Sequence, residues 1–191
     1  MTGFDRPRIE AAVAEILAAI GEDPSRAGLV STPSRVADAY EEFFVGLGQN
    51  PLDQLGEGVP LEGHDAEVVL LRDIAFRSIC EHHLLPFLGV AHVAYLPNER
   101  VVGLGKLPRV VETLASRPQM QERLTEEIAD TLLEGLDAKG VLVVLDAQHA
   151  CVSSRGVRQT ESTTVTIASR GALADPAARS ELMALIGRGV A

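Results

Sequence analysis

With 191 residues, 46% of them hydrophobic, and a formal net charge of −10, the chain can build one ordinary core but lacks the basic face of a general nucleic-acid binder. No apolar run approaches the roughly 18 residues of a membrane span, and Met1-Thr2-Gly3-Phe4-Asp5-Arg6 lacks the regions of a signal peptide, so a cytoplasmic protein with no membrane or nucleic-acid partner is expected. Any anion it takes should be small and held by a local basic pocket.

The N-terminal third reads as helical. Ile9, Val13, Ile16, Leu17 and Ile20 recur at helical spacing before Gly21, and Thr32-Pro33 opens a second helix, as cap and first-turn proline, that runs through Val36, Tyr40 and Phe44. Asn50 to Asp65 is polar and contains Gly and Pro, which predicts a linker and a boundary near residue 65: a helical segment over 1–65, then a catalytic domain over 66–191. Ala66 to Cys80 reads as a first strand, interrupted by Leu84-Leu85-Pro86 before a second from about Gly89 to Leu96. Gly103-Leu104-Gly105-Lys106 is not a phosphate-binding P-loop, because the glycine spacing is too short and Leu107 follows the lysine. Two helical pieces follow, Leu107 to about Ser116 and Pro118 to about Leu136, the second carrying a stripe of Met120, Leu124, Ile128, Leu132 and Leu136. Strands are expected from Val141 through Cys151 and from about Ser162 to Ala168, with a closing helix from Asp175 to Ile186 stopped by Gly187. The sum is an α+β fold: a four-stranded antiparallel sheet covered by helices on one face, its edges open unless subunits pair them.

Both cysteines of the chain stand beside histidines, in Cys80-Glu81-His82-His83 and in His149-Ala150-Cys151. Thiolate and imidazole are preferred zinc ligands, and three of them with an open fourth position make a catalytic site, whereas four make a closed structural one. Cys80, His83 and Cys151 are the favoured ligand set, with His82 and His149 left for proton transfer; a Cys80–Cys151 disulfide flanked by two buried histidines is the competing arrangement. On strand periodicity Cys80 and His82 share one face, as do His149 and Cys151. Lys106 and Arg109, at a strand-to-helix junction, and Arg155, four residues beyond Cys151, can aim cationic donors at a phosphate, although each is equally at home as a solvated surface charge. Gln121 and Glu122 begin a helix, where a carboxylate is favoured by the dipole in any case.

Taken together these segments resemble the zinc-dependent GTP cyclohydrolase I family over nearly the whole length. The resemblance rests on Gly21-Glu22-Asp23-Pro24, Thr32-Pro33-Ser34-Arg35-Val36, Cys80-Glu81-His82-His83-Leu84-Leu85-Pro86-Phe87, Arg117-Pro118-Gln119-Met120-Gln121-Glu122-Arg123-Leu124, His149-Ala150-Cys151 and Arg155-Gly156. It implies a tunnelling fold, a toroidal homodecamer, and hydrolysis of GTP to 7,8-dihydroneopterin triphosphate with release of formate. It assigns zinc to Cys80, His83 and Cys151, proton donation to guanine N7 to His82, and a second proton-handling role to His149. It places Gln121 and Glu122 on the Watson–Crick edge of guanine, and Lys106, Arg109, Arg155 and, from the T-P-x-R segment, Arg35 on the triphosphate. One departure stands out: Gly105 occupies the position before the lysine where the family usually has Ser, which removes a hydroxyl donor. A paralogue that stops at a ring-opened formamide and a non-catalytic nucleotide-binding ring are the competing functions. Keeping His82, His149, Gln121, Glu122 and the cations together argues against both, since a scaffold needs none of them.

Overall fold

The computed structural model describes residues 3–61 and 67–187, so the expected boundary near residue 65 lies outside the described residues. Helix α1 (Arg6–Ala19) starts where the Asp5 carboxylate accepts a hydrogen bond from the Arg8 amide at 3.2 Å, and gives way at Gly21, whose φ of +89° suits glycine. Helix α2 (Thr32–Phe43) begins at Thr32 itself, so Ser31 and not Thr32 takes the capping position. The two helices are tied by the Arg6 guanidinium, which donates to Asp38 at 2.6 Å and to Ser34 Oγ at 3.1 Å. No side chain of α1 is buried and only Ala37 of α2 is, so this hairpin stands outside the main core. A 3-10 turn over Pro51–Gln54 then delivers Leu55 into the core against Gly135, where an added Cβ would meet Leu55 Cδ1 at 2.3 Å.

Strands β1 (Val59–Pro60) and β4 (Arg100–Val101) form a small antiparallel ribbon. The main sheet holds β2 (Val69–Cys80), β3 (Pro86–Leu96), β5 (Pro118–Gln119), β6 (Gly140–His149) and β7 (Thr164–Gly171) in the order β5-β2-β3-β6-β7. Four of these strands are the expected antiparallel set. The fifth, β5, corrects the expectation of four: Pro118-Gln119 is extended and pairs in parallel with Ile79-Cys80, so helix α4 (Gln121–Leu136) starts three residues later than its sequence pattern suggested. Proline disfavours helical backbone in the residue before it, which separates α3 (Lys106–Ala115) from α4 and leaves room for the short strand. Leu71↔Val93 and Ile74↔Ala91 differ in register by one residue, a β-bulge carried by Arg72 and Asp73, the latter at φ +59°.

Alternation in the strands divides the core. Ala91, Val93 and Tyr95 of β3 and Val141, Val143 and Leu145 of β6 face α3 and α4, packing on Leu107, Val110 and Leu114 and on the Leu124, Ile128, Leu132 and Leu136 stripe. The opposite face is not bare. Ala94, Leu142 and Val144 there pack on Leu173 and on Leu182 of α6 (Pro176–Gly187), so helices cover part of both faces and not one face alone. The closing helix was legible as a helix, but nothing in its sequence said which face it would choose.

Candidate metal and catalytic site

At one end of the sheet the C-terminus of β2, the start of β3, the C-terminus of β6 and the start of α4 converge. Strand β2 stops at Cys80, and Glu81-His82-His83-Leu84 turns tightly: the Leu84 amide donates to the Cys80 carbonyl at 2.9 Å, the Cys80 amide to Leu85 O at 2.9 Å, and Leu84 sits at φ +53°. The turn takes the two histidines off the strand, so Cys80 and His82 do not share a strand face as their spacing suggested. Strand β6 likewise ends at His149, and Cys151 lies on a one-turn helix, α5 (Ala150–Ser153), so the expectation that His149 and Cys151 lie two apart on one strand is also corrected.

This strand-to-helix switch brings Cys151 to the turn. Ligand atoms of Cys80, His83 and Cys151 all lie within 4.8 Å of one another, and both cysteines are free, which disposes of the disulfide arrangement. A tetrahedral zinc with Zn–S of about 2.3 Å and Zn–N of about 2.0 Å needs donor atoms roughly 3.5–3.8 Å apart, a spacing that falls inside the 4.8 Å span of the three. Burial pushes the Cys151 thiol above its ordinary value, and the neighbouring Cys80 pushes it further. Two sulfurs held beside an imidazole are a donor set that a cation completes. His82 stays close, its Nδ1 3.9 Å from Cys80 Sγ, and its ring meets His83 edge-on at 6.3 Å.

His149 is held from two sides. Its ring stacks on Phe87, its cross-strand partner, at 4.6 Å and 4° between planes, and its Nε2 lies 2.7 Å from Gln121 Oε1. Burial lowers its pKa below the ordinary imidazole value, opposed by the negative charge of Glu122. Gln121, expected on the Watson–Crick edge of guanine, has its side chain held inside the protein. It is 1% exposed, and its amide nitrogen faces Thr164 O at 2.8 Å, Thr166 Oγ1 at 3.1 Å and Leu145 O at 3.2 Å. Both ends of the amide are engaged inside the protein, whereas the neighbouring Glu122 is exposed on the first turn of α4.

The family model described as GTP cyclohydrolase I matches residues 9–187. The chain belongs to the GTP cyclohydrolase I family. GTP cyclohydrolase 1 of Leifsonia xyli subsp. xyli (strain CTCB07) is 70% identical over 191 residues, the full length of both chains. That of Carboxydothermus hydrogenoformans is 56% identical over 185 residues, 96% of this chain and 95% of its own, and that of Streptomyces avermitilis 54% identical over 185 residues, 96% and 91%. The sheet-and-helix unit is α+β, as expected from the sequence. For a GTP cyclohydrolase I family member the Cys80–His83–Cys151 group is the place where a metal ion fits.

Arg155 is near that group, and its charge acts on the Cys151 thiol. Lys106 opens α3 at the end away from Ser116 and β5; at 1.5 Å per residue it lies roughly 14 Å along the axis from Ala115. Arg109 is one turn further in, and Arg35 is exposed on α2. Sequence reasoning missed three supports of this GTP cyclohydrolase I site. Phe87 stacks on His149; the Arg123 guanidinium binds Glu81 of the metal turn at 2.6 Å, Gln119 Oε1 at 3.0 Å and Pro118 O at 3.1 Å; and Thr166 touches both Gln121 and Thr125. The i, i+4 spacing of Gln121 and Thr125 and the i, i+2 spacing of Thr164 and Thr166 were the available signals.

Proposed function

We propose that this chain catalyses the GTP cyclohydrolase I reaction: hydrolysis of GTP at guanine C8, ring opening, release of formate, and rearrangement of the remainder to 7,8-dihydroneopterin triphosphate. The observation that carries the reading is the meeting of Cys80, His83 and Cys151 with His82, His149 and Glu122 at one end of the sheet. In it, residues 66–191 form the catalytic domain and residues 1–65 an N-terminal helical segment.

Cys80, His83 and Cys151 would hold zinc, which would supply Lewis acidity for activating a water near neutral pH. His82, beside the metal group, protonates N7 of the purine, which draws electrons from C8 and opens it to attack. His149, held by Phe87 and Gln121, gives and takes protons in the steps that follow. The Glu122 carboxylate accepts from the N1 and 2-amino donors of guanine; adenine lacks both and would leave the carboxylate unpaired, which selects GTP over ATP. Arg155 with Lys106, Arg109 and Arg35 hold the triphosphate through charge-assisted hydrogen bonds.

The placement of Lys106 at the far end of α3 from Cys80 supports an assembly in which one chain's cations complete a neighbour's site. The reading therefore includes a cytoplasmic homo-oligomer, a decamer on the family pattern. Among the described residues no helix is long and apolar enough to cross a membrane. The test is to incubate the purified, metal-assayed protein with GTP and follow pterin fluorescence and formate together. Equal amounts of the two are expected; a formamide product, or nucleotide binding without turnover, refutes the assignment.

A further inference from the structure

The protons around Gln121 can be placed from acceptors alone. The carbonyl oxygens of Leu145 and Thr164 only accept, so the group facing them at 3.2 and 2.8 Å is the amide nitrogen, and the amide oxygen points the other way, at His149 Nε2. That oxygen also only accepts, so His149 Nε2 donates to it. The hydroxyl pair agrees: Thr125 Oγ1 donates to Gln121 O at 2.7 Å, so Thr166 donates to Thr125 at 2.6 Å and keeps a lone pair for the Gln121 amide at 3.1 Å. The two amide protons then serve these three acceptors, one of the protons shared, and the flipped amide would instead set its oxygen against two carbonyls.

We infer that Gln121 is a positioning residue for His149: it fixes the proton on Nε2 and leaves Nδ1 as the ring's open nitrogen, while Phe87 fixes the ring plane. A histidine free to exchange tautomers would present a lone pair and a proton by turns at the same atom. A buried amide anchored to two backbone carbonyls removes that choice before substrate arrives. The inference deepens the proposed function, since it takes His149 as a proton-handling group, but the bonding pattern holds whatever the substrate.

The first experiment needs no substrate. Solid-state ¹⁵N spectra of the sedimented, metal-loaded protein labelled at histidine ring nitrogens, with His149 identified by its disappearance in His149→Asn, read which nitrogen is protonated. A proton on Nε2 is expected; a neutral ring protonated at Nδ1 overturns the inference even if GTP turnover is normal. The second uses Gln121→Met, which keeps length and removes both amide ends. Loss of an outer partner of this kind should lower kcat on the order of 10–100-fold, with KM for GTP within about twofold and zinc content unchanged. A rise in KM with kcat preserved would instead make Gln121 a guanine contact and sink the positioning role. Thr166→Val, which removes only the hydroxyl support, should shift kcat in the same direction by less; it serves where the methionine variant does not fold. An inactive wild-type protein with the Nε2 proton in place would refute the proposed reaction and leave this inference standing.

Discussion

Replacing Arg123 by Met tests how the metal turn is held. The guanidinium is 40% exposed and the Glu81 carboxylate 31% exposed, so their 2.6 Å ion pair is screened by solvent and contributes about 0.5–1 kcal/mol. The larger effect comes from Gln119, which is 1% exposed and whose Oε1 accepts from Arg123 Nε at 3.0 Å. Its amide nitrogen remains satisfied by Leu114 O and Glu127, but the oxygen would be left buried without a donor, at a cost of about 1–3 kcal/mol. Met retains much of the aliphatic stem, so packing changes little. The sum is on the order of 2 kcal/mol, which for a chain of this length corresponds to a fall in Tm of about 4–8 °C. Because Glu81 follows Cys80 and precedes His83, the released turn should also hold metal about 10-fold or more less tightly. Differential scanning fluorimetry reads the first quantity and zinc competition against a chelator the second. A Glu81→Gln, Arg123→Met double-mutant cycle should isolate a coupling near the ion-pair value. If Arg123→Met shifts Tm by less than about 1 °C and leaves the chelator midpoint unchanged, the clamp is incidental and the turn is rigid by itself.

Cys151→Ala should abolish stoichiometric zinc while leaving α5 intact; full metal occupancy by elemental analysis would show that another residue supplies the third ligand. His82→Ala should keep zinc and assembly and lose ring opening, read as absence of both formate and pterin; unchanged turnover refutes the proton-donor role. Gly105→Ser is sterically open, since Gly105 has ordinary helical φ and ψ and an added Cβ there meets nothing within 4 Å. It should lower KM for GTP modestly with kcat unchanged, and an equal or higher KM would show that the hydroxyl is not missed.

The main strands and helices, the core stripe of α4 and the Cys80, His83 and Cys151 group were legible in the order of residues. Each depends on local periodicity or on donor chemistry, which a short window of sequence carries: Leu124, Ile128, Leu132 and Leu136 define a face wherever the helix is put, and thiol beside imidazole favours a metal site before any fold is known. What the chain order could not supply was set by partners distant in sequence. Strand β6 yields to helix at Ala150, Pro118-Gln119 joins the sheet beside Cys80, and α6 chooses the second face because of surfaces contributed from elsewhere. Gln121 shows the difference most sharply. The family resemblance put it with Glu122 on the edge of guanine, and in the fold carbonyls of β6 and β7 hold its amide and direct its oxygen to His149. A buried amide must satisfy donors and acceptors that tertiary packing brings to it, so its role was decided only when the strands closed around it.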